Sequence, residues 1–262
     1  MIRYLRLYGY FVTQRFKILM EYRLNFFIGV ISTMFQQGVS LAAIWVVMSQ
    51  IPGLNGWNMY EVWLIYGMVV LGQSIAHMFA DNLWTIGWVY IRPGTFDRFM
   101  VRPINPLFHL LADRFCHDGI GHFIFGAVLV GFSLHTLGIS LTLLQVLYLV
   151  SAVLTAGVIF ISLNLLTAST AFFIVESIPI TQIVFNVNEF ARYPLTIYHP
   201  IIQFLLTWII PFGFASYYPA SYLLGRDVGL LAWIGPLVAV ILLFISYRVW
   251  LFGLRHYTST GT

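Results

Sequence analysis

Residues 92–108, RPGTFDRFMVRPINPLF, are the longest break in an otherwise membrane-like chain, and the fold is read outward from them. Pro93, Pro103 and Pro106 punctuate the stretch, because proline lacks an N–H donor and disfavours helix in the residue before it. Between them, residues 95–101 are long enough for a two-turn helix, with Thr95 as N-cap and Asp97 in the first turn, where the helix dipole favours an anion. Phe96, Phe99 and Met100 fall at i, i+3 and i+4, which makes one face apolar and leaves Asp97, Arg98 and Val101 on the other. Such a helix suits insertion into a partner's groove. A plain connecting loop whose arginines follow membrane topology fits the same pattern, so the residues alone leave both open.

Composition sets the class independently. With 60% hydrophobic and 8% charged residues over 262 positions, the chain lies far from a soluble domain, in which roughly 25% would be charged. Its mean hydropathy of +0.87 points the same way. We therefore expect an all-α polytopic membrane protein forming a single domain over residues 1–262. Cys116 is the only cysteine, which rules out an intrachain disulfide.

In chain order, residues 1–23 mix Arg3, Arg6, Arg15, Lys17 and Arg23 with Tyr4, Leu5, Leu7, Tyr8, Tyr10, Phe11 and Phe16. This is the pattern of an interfacial helix that sets basic groups on anionic headgroups and sinks an aromatic face to the acyl boundary. Gln14–Lys17 interrupts the apolar core a cleavable signal peptide needs, so retention is expected. Spans one and two are expected within residues 24–79, at about Leu24–Met48 and Val62–Phe79, joined by a turn-rich loop at Ile51–Trp57. Gln36 and Gln37, in the middle of the first span, should face other helices, because an unpaired amide in hydrocarbon is costly. His77, Asp81 and Asn82 are read as marking the second span's end. Residues 80–108 form the connecting loop, and 109–198 hold spans three to five, the last two at about Leu143–Phe173 and Ile180–Tyr198 with a tight turn at Glu176–Pro179. Pro200, Pro211 and Pro219 cut residues 199–225 into pieces too short to cross, which predicts a hairpin that enters from one face and returns to it. Residues 226–262 carry span six, about Leu230–Leu251, and a polar tail.

Positive charge orients this scheme. Arg3, Arg6, Arg15, Lys17, Arg23, Arg92, Arg98, Arg102, Arg114, Arg248 and Arg255 fall on one side, Arg226 on the other, and Arg192 within the fifth span. The excess of Lys and Arg in cytoplasmic loops puts both termini and the 80–108 loop in the cytosol. The hairpin then faces outward, and we expect a multi-pass protein of a bacterial plasma (inner) membrane.

Catalytic signatures are missing from the sequence. The only lysine, Lys17, stands between Phe16 and Ile18, so no Walker A loop exists, and neither a G-x-S-x-G elbow nor an H-E-x-x-H site occurs. We expect no enzyme active site and no cofactor in this chain. Asp113/His117 and Asp118/His122 are i,i+4 pairs, but the two histidines are five apart rather than one turn apart. They are read as polar side chains at the mouth of a span, with no metal expected. A metal-dependent membrane enzyme would rest on His117 and His122 and is disfavoured accordingly.

The run GTFDRFMVRPINPLF between the second and third spans resembles the cytosolic coupling segment of type-2 ATP-binding-cassette (ABC) exporter permeases, in a subfamily with a loop of the form RPGxFDRFxxRPxNPLF. The match holds at Arg92, Pro93, Gly94, Phe96, Asp97, Arg98, Phe99, Arg102, Pro103, Asn105, Pro106, Leu107 and Phe108. Tyr193–Ala220, YPLTIYHPIIQFLLTWIIPFGFASYYPA, is similar to the fifth span and re-entrant outer hairpin of that subfamily. The resemblance implies a permease subunit that pairs with a second, identical or paralogous, and rests on a separate ATPase subunit that binds ATP and Mg2+. It implies alternating access driven through Phe96, Asp97, Arg98, Phe99 and Arg102, with an outer gate formed by Tyr193, Pro194, Pro200, Pro211, Tyr217, Tyr218 and Pro219. The aromatic content of 18% suits a hydrophobic or amphipathic cargo, drug or lipid-like, although lipid-facing aromatics give the same statistic. Membrane lipids are expected partners and nucleic acid is not.

Glu189 and Arg192, three apart in the fifth span, should pair inside the membrane, since either alone would cost about 2.5–3.5 kcal/mol near a helix centre. Snorkelling of Arg192 to the interface beside Tyr193 is the other reading. A secondary transporter or channel without an ATPase would need titratable relays deep in several spans, and the sequence offers mainly this pair.

Overall fold

The computed structural model describes residues 2–21, 23–51, 53–174 and 177–258, without the side chains of 2–5, 15, 16 and 18. The expected placements of Arg3, Tyr4, Leu5, Arg15, Phe16 and Glu176 and the last four tail residues therefore lie outside the described set. All regular elements among the described residues are helical, and five of the helices are long and apolar enough to cross a membrane, six if one bent pair counts as a span. The protein is a multi-pass membrane protein.

Helix α1 (Ile2–Glu21) leads into α2 (Arg23–Ser49), whose buried side is only Val30, Gln37, Ile44 and Met48. The α2 prediction holds for Gln37, whose amide receives the Tyr66 hydroxyl, but Gln36 is exposed. Helix α3 (Met59–Ile86) starts with a capping box in which Asn58 and Glu61 satisfy each other's backbone N–H groups. It is the central element. Val62 and Leu64–Val70 have almost no exposed surface, and α6 (Asp118–Thr136) and α7 (Leu143–Ser169) flank it.

Close approach of α3 and α6 requires glycine on both sides: a Cβ on Gly126 would stand 3.0 Å from Leu71 N, and one on Gly67 would stand 3.3 Å from Val130 N. The last long helix, α11 (Gly235–His256), packs on the far side of α7 and exposes Leu237, Val240, Ile241 and Phe244.

The second span runs further than expected. A π-helical turn, Gly87–Ile91, extends α3 to a stretch of 33 residues. His77, Asp81 and Asn82 do not mark its end, because their polar groups bond inside the protein: Asn82 Nδ2 donates to Leu110 O at 2.7 Å, and His77 meets Asp81 at 3.1 Å. Two short helices follow, α4 (Asp97–Met100) and α5 (Pro106–Asp113), and residues 114–117 break α5 from α6, so the third span starts at Asp118.

The fifth span is not one helix. After a 3-10 turn at Thr170–Phe172 closes α7, α8 (Ile178–Val187) gives way to 3-10 turns at Asn188–Arg192 and Leu195–Ile197. Pro194 ends regular helix here by removing a donor, and residues 186–192 are too polar for an apolar span. The segment still runs the length of α3: Phe185 meets Trp84, Arg192 lies over Tyr66, and Thr196 Oγ1 accepts from Trp57 Nε1. Next come α9 (Pro200–Phe204) with a π-helical turn to Ile209, and, past Pro211, a 3-10 turn leading into α10 (Tyr217–Leu223). The pair is bent by 76° at the break between Ile209 and Phe212.

Candidate coupling surface and outer hairpin

At the α4 end, Phe96 and Phe99 have no exposed surface. The Phe96 ring packs against Phe99, Phe172, Trp250 and Tyr257, and the Phe99 ring against Tyr90 and His109. The expectation that these rings fill a partner's groove is therefore corrected: they fill the protein's own core. The helical pattern predicted an apolar face without saying what covers it, and the tail of α7, α11 and the α3 extension cover it. Helix α4 is also one turn rather than two. Thr95 does not cap it but donates to Val89 O at 3.1 Å, and Phe96 holds the cap position without a side-chain bond.

The charged residues tie this core together. Asp97 Oδ1 accepts from the Tyr257 hydroxyl at 2.8 Å, and Arg98 Nη2 donates to Asp113 Oδ2 at 2.8 Å while its guanidinium lies over Phe99 and Tyr90. Arg102 Nη1 lies 3.2 Å from His109 Nε2. With the guanidinium as donor, that nitrogen is the acceptor and the imidazole is neutral. Burial and then the Arg102 charge hold His109 below its ordinary value of 6.5. The outward face is formed instead by Met100, 43% exposed, Val101, 80% exposed, and Arg102 and Pro103 beside them. Below it α1 packs on α5 through Tyr8 on Phe108 and Phe11 on His109. Tyr257, Trp250 and Asp113 are the anchors that sequence reasoning missed. Only an aromatic-rich end of the last helix hinted at two of them.

The other constellation lies at the opposite end of α3, roughly 50 Å away for 33 residues at 1.5 Å each. Arg226 Nη2 donates to Gly56 O at 3.0 Å and pairs with Glu61 at 2.9 Å, and its guanidinium lies over Trp57. Asn55 Nδ2 donates to Thr196 O at 2.8 Å. Both ends of the bent pair thus meet one loop, residues 53–58. Between them Phe212 reaches Phe160, in the middle of α7, and Ser216 Oγ donates to Ala191 O at 2.9 Å.

Of the residues assigned to a gate, Pro194, Pro211, Tyr218 and Pro219 are buried, Tyr193 and Tyr217 are half-buried, and Pro200 is exposed. The Tyr217 ring packs at a tilt against Trp57 and the Tyr218 hydroxyl meets Thr207 at 3.0 Å. Ser216 and Ser221, on the same arm, are fully buried. Glu189 and Arg192 stand 2.6 Å apart, with Arg192 mostly buried and Glu189 half-exposed. Arg192 Nε and both polar atoms of the neighbouring Asn188 side chain are buried without a hydrogen-bond partner among the described residues.

A family model described as ABC-2 family transporter protein matches residues 34–261. No curated protein and no solved structure matches the chain. The match takes in all five of the long apolar helices but the start of α2, together with the α4 loop and the bent pair, and leaves out α1; this chain belongs to the ABC-2 transporter family, whose membrane subunits work with a partner ATPase.

Proposed function

We propose that the chain is the permease subunit of an ATP-driven exporter that moves a hydrophobic or amphipathic substrate, drug or lipid-like, out of the cytosol by alternating access. A separate subunit binds ATP and Mg2+, and a second permease subunit completes the path; this chain carries no active site of its own. One observation carries the reading: α4 presents Met100, Val101 and Arg102 outward while Phe96 and Phe99 anchor it to α3, to the end of α7 and to α11 at once. A push on that face reaches three membrane helices through packed rings, and packed interfaces pass on displacement as rigid-body motion. The exposed Val101 methyls and Arg102 charge make the docking contact, and Arg98 and Asp97 hold the base rigid.

The bent pair supports a re-entrant outer gate, since both its ends return to the 53–58 loop and its tip reaches mid-depth at Phe160. Backbone of this kind is tolerated in a membrane when it is buried in protein or lines a cavity. Helix α1, packed on α5 beside the α4 loop, lies along the cytosolic leaflet with both termini inside.

A tagged chain extracted in mild detergent from its native membrane should bring down an ATP-hydrolysing subunit in about equal amount. Met100→Asp with Val101→Asp, both at exposed positions, should abolish that recovery while leaving expression and the melting temperature unchanged. Transport by the chain alone, indifferent to ATP and to the double substitution, would sink the proposal in favour of a secondary transporter.

A further inference from the structure

The transport reading leaves one side-chain cluster unused, between α3 and the break that separates α5 from α6. His77 and Asp81 stand one helical turn apart on α3, with His77 Nδ1 3.1 Å from Asp81 Oδ1. Cys116, the only cysteine, comes from the break, is buried, and holds its Sγ 3.7 Å from His77 Nε2. One ligand atom from each of the three lies within 4.8 Å of the others. The backbone is shaped to bring them together. Helix α3 leaves helical geometry at Ala80 (φ −137°, ψ 17°), and the Cys116 N–H donates to Met78 O at 3.1 Å within that same turn.

We propose that His77, Asp81 and Cys116 bind a divalent transition cation of borderline softness, with Zn2+ as the type. A thiolate, an imidazole and a carboxylate together suit such an ion and are a poor set for Mg2+ or Ca2+, which take oxygen ligands. Two ligands one turn apart on a helix place both on one face, the spacing that His117 and His122 lack. The distances fit as well. Zn–N and Zn–O bonds of about 2.05 and 2.1 Å at a tetrahedral angle put nitrogen and oxygen about 3.4 Å apart, against the 3.1 Å between His77 Nδ1 and Asp81 Oδ1. One imidazole offers a given ion one nitrogen, so the ion is held through Nδ1, and Cys116 Sγ, now 3.7 Å from Nε2, closes on it from the break.

The open side faces Asp118, whose Oδ2 is 3.7 Å from Sγ, and His122, whose ring centroid is 5.2 Å from that of His77. With His122 Nδ1 on Asp118 O at 3.3 Å, its Nε2 is the nitrogen left for a ligand. One of these or water takes the fourth position. Two basic groups oppose the ion, Arg114 at 3.6 Å from Asp81 Oδ2 and His117 at 3.2 Å from Asp118 Oδ1. Arg114 is exposed enough to swing away when the ion enters. A bound cation would staple the α5–α6 break to α3, directly behind the α4 loop.

The test uses the full chain in detergent, stripped with a chelator and titrated with Co2+. We expect one equivalent to bind with a thiolate-to-metal charge-transfer band, to be displaced by Zn2+, and to lose that band in Cys116→Ser. His77→Gln and Asp81→Asn should each weaken binding by more than the roughly tenfold that loss of even an outer-shell partner costs. The absence of saturable binding, or binding unchanged in His77→Gln, would overturn the proposal and leave a hydrogen-bonded Cys–His–Asp relay. Should the variants fail to fold, the unsubstituted chain still decides: Zn2+ must slow alkylation of Cys116 by N-ethylmaleimide and a chelator must restore it. A rate indifferent to Zn2+ counts against the site.

Discussion

His109 is buried between the Phe99 ring and Arg102, and its Nδ1 has no hydrogen-bond partner among the described residues. A proton added there would set a second positive charge beside a guanidinium in an apolar pocket. Because its folded value lies below the ordinary 6.5, the unfolded chain takes up the proton first as pH falls. The contribution is thus fully present above 6.5 and is lost as pH drops below it toward the folded value. The melting temperature should fall between one pH unit above and one below 6.5, and His109→Gln should flatten that slope; an equal slope in the variant would remove His109 as the cause. A second residue-scale prediction concerns Glu189 and Arg192. Arg192 is mostly buried whereas Glu189 is half-exposed, so removing Glu189 strands the arginine charge, and Glu189→Leu should lower folded yield more than the double change with Arg192→Leu. In a double-mutant cycle the coupling should reach the roughly 0.5–3 kcal/mol of residues in contact. Additive losses would mean that Arg192 is held by the Tyr66 ring and not by Glu189.

Helix α6 meets α2 where neither tolerates bulk: a Cβ on Gly121 would stand 2.5 Å from Val30 O, a backbone atom that cannot give way, and would also clash with Thr33 Oγ1. Gly121→Ala should therefore push the two helices apart, break the 3.1 Å bond from Thr33 to Asp118 O, and lower both yield and melting temperature. Gly131, on the same helix, meets nothing within 4 Å, and Gly131→Ala should be neutral or stabilising by about 0.5–1 kcal/mol. Equal behaviour of the two variants would show that α2 and α6 are not in tight contact. Elements of this kind were legible in the sequence where a long apolar run stood alone: α2, α7 and α11 lie within a few residues of the predicted spans. They failed where polarity had two meanings. His77, Asp81 and Asn82 read as a span's end because a sequence cannot distinguish a side chain that meets water from one that meets a neighbouring helix. Periodicity likewise picked out Phe96 and Phe99 as one face of a helix but not the side it turns toward, which depends on residues some 150 positions later.

Across the whole molecule, α3 and its extension span the distance between the α4 loop and the 53–58 loop, so the two candidate sites lie on opposite faces of any bilayer that the helices cross. The outermost helices, α2 and α11, expose apolar side chains along most of their length, as surfaces that meet lipid or a second subunit do. In the proposed orientation the positive charge at the α4 end, with Arg92, Arg98 and Arg102 all exposed, faces the cytosol. Labelling tests this directly, with sites chosen by exposure; Ser216 and Ser221 are unsuitable because both are fully buried. In a Cys116→Ser background, Asp227→Cys in the exposed turn after α10 should react with a membrane-impermeant maleimide added to intact cells. Val101→Cys should react only once the membrane is opened. The reverse pattern would invert the orientation and place the α4 face outside, away from any cytosolic ATPase. Reaction of both from the outside would mean that α3 does not cross, and with that the separation of docking surface from gate would fail.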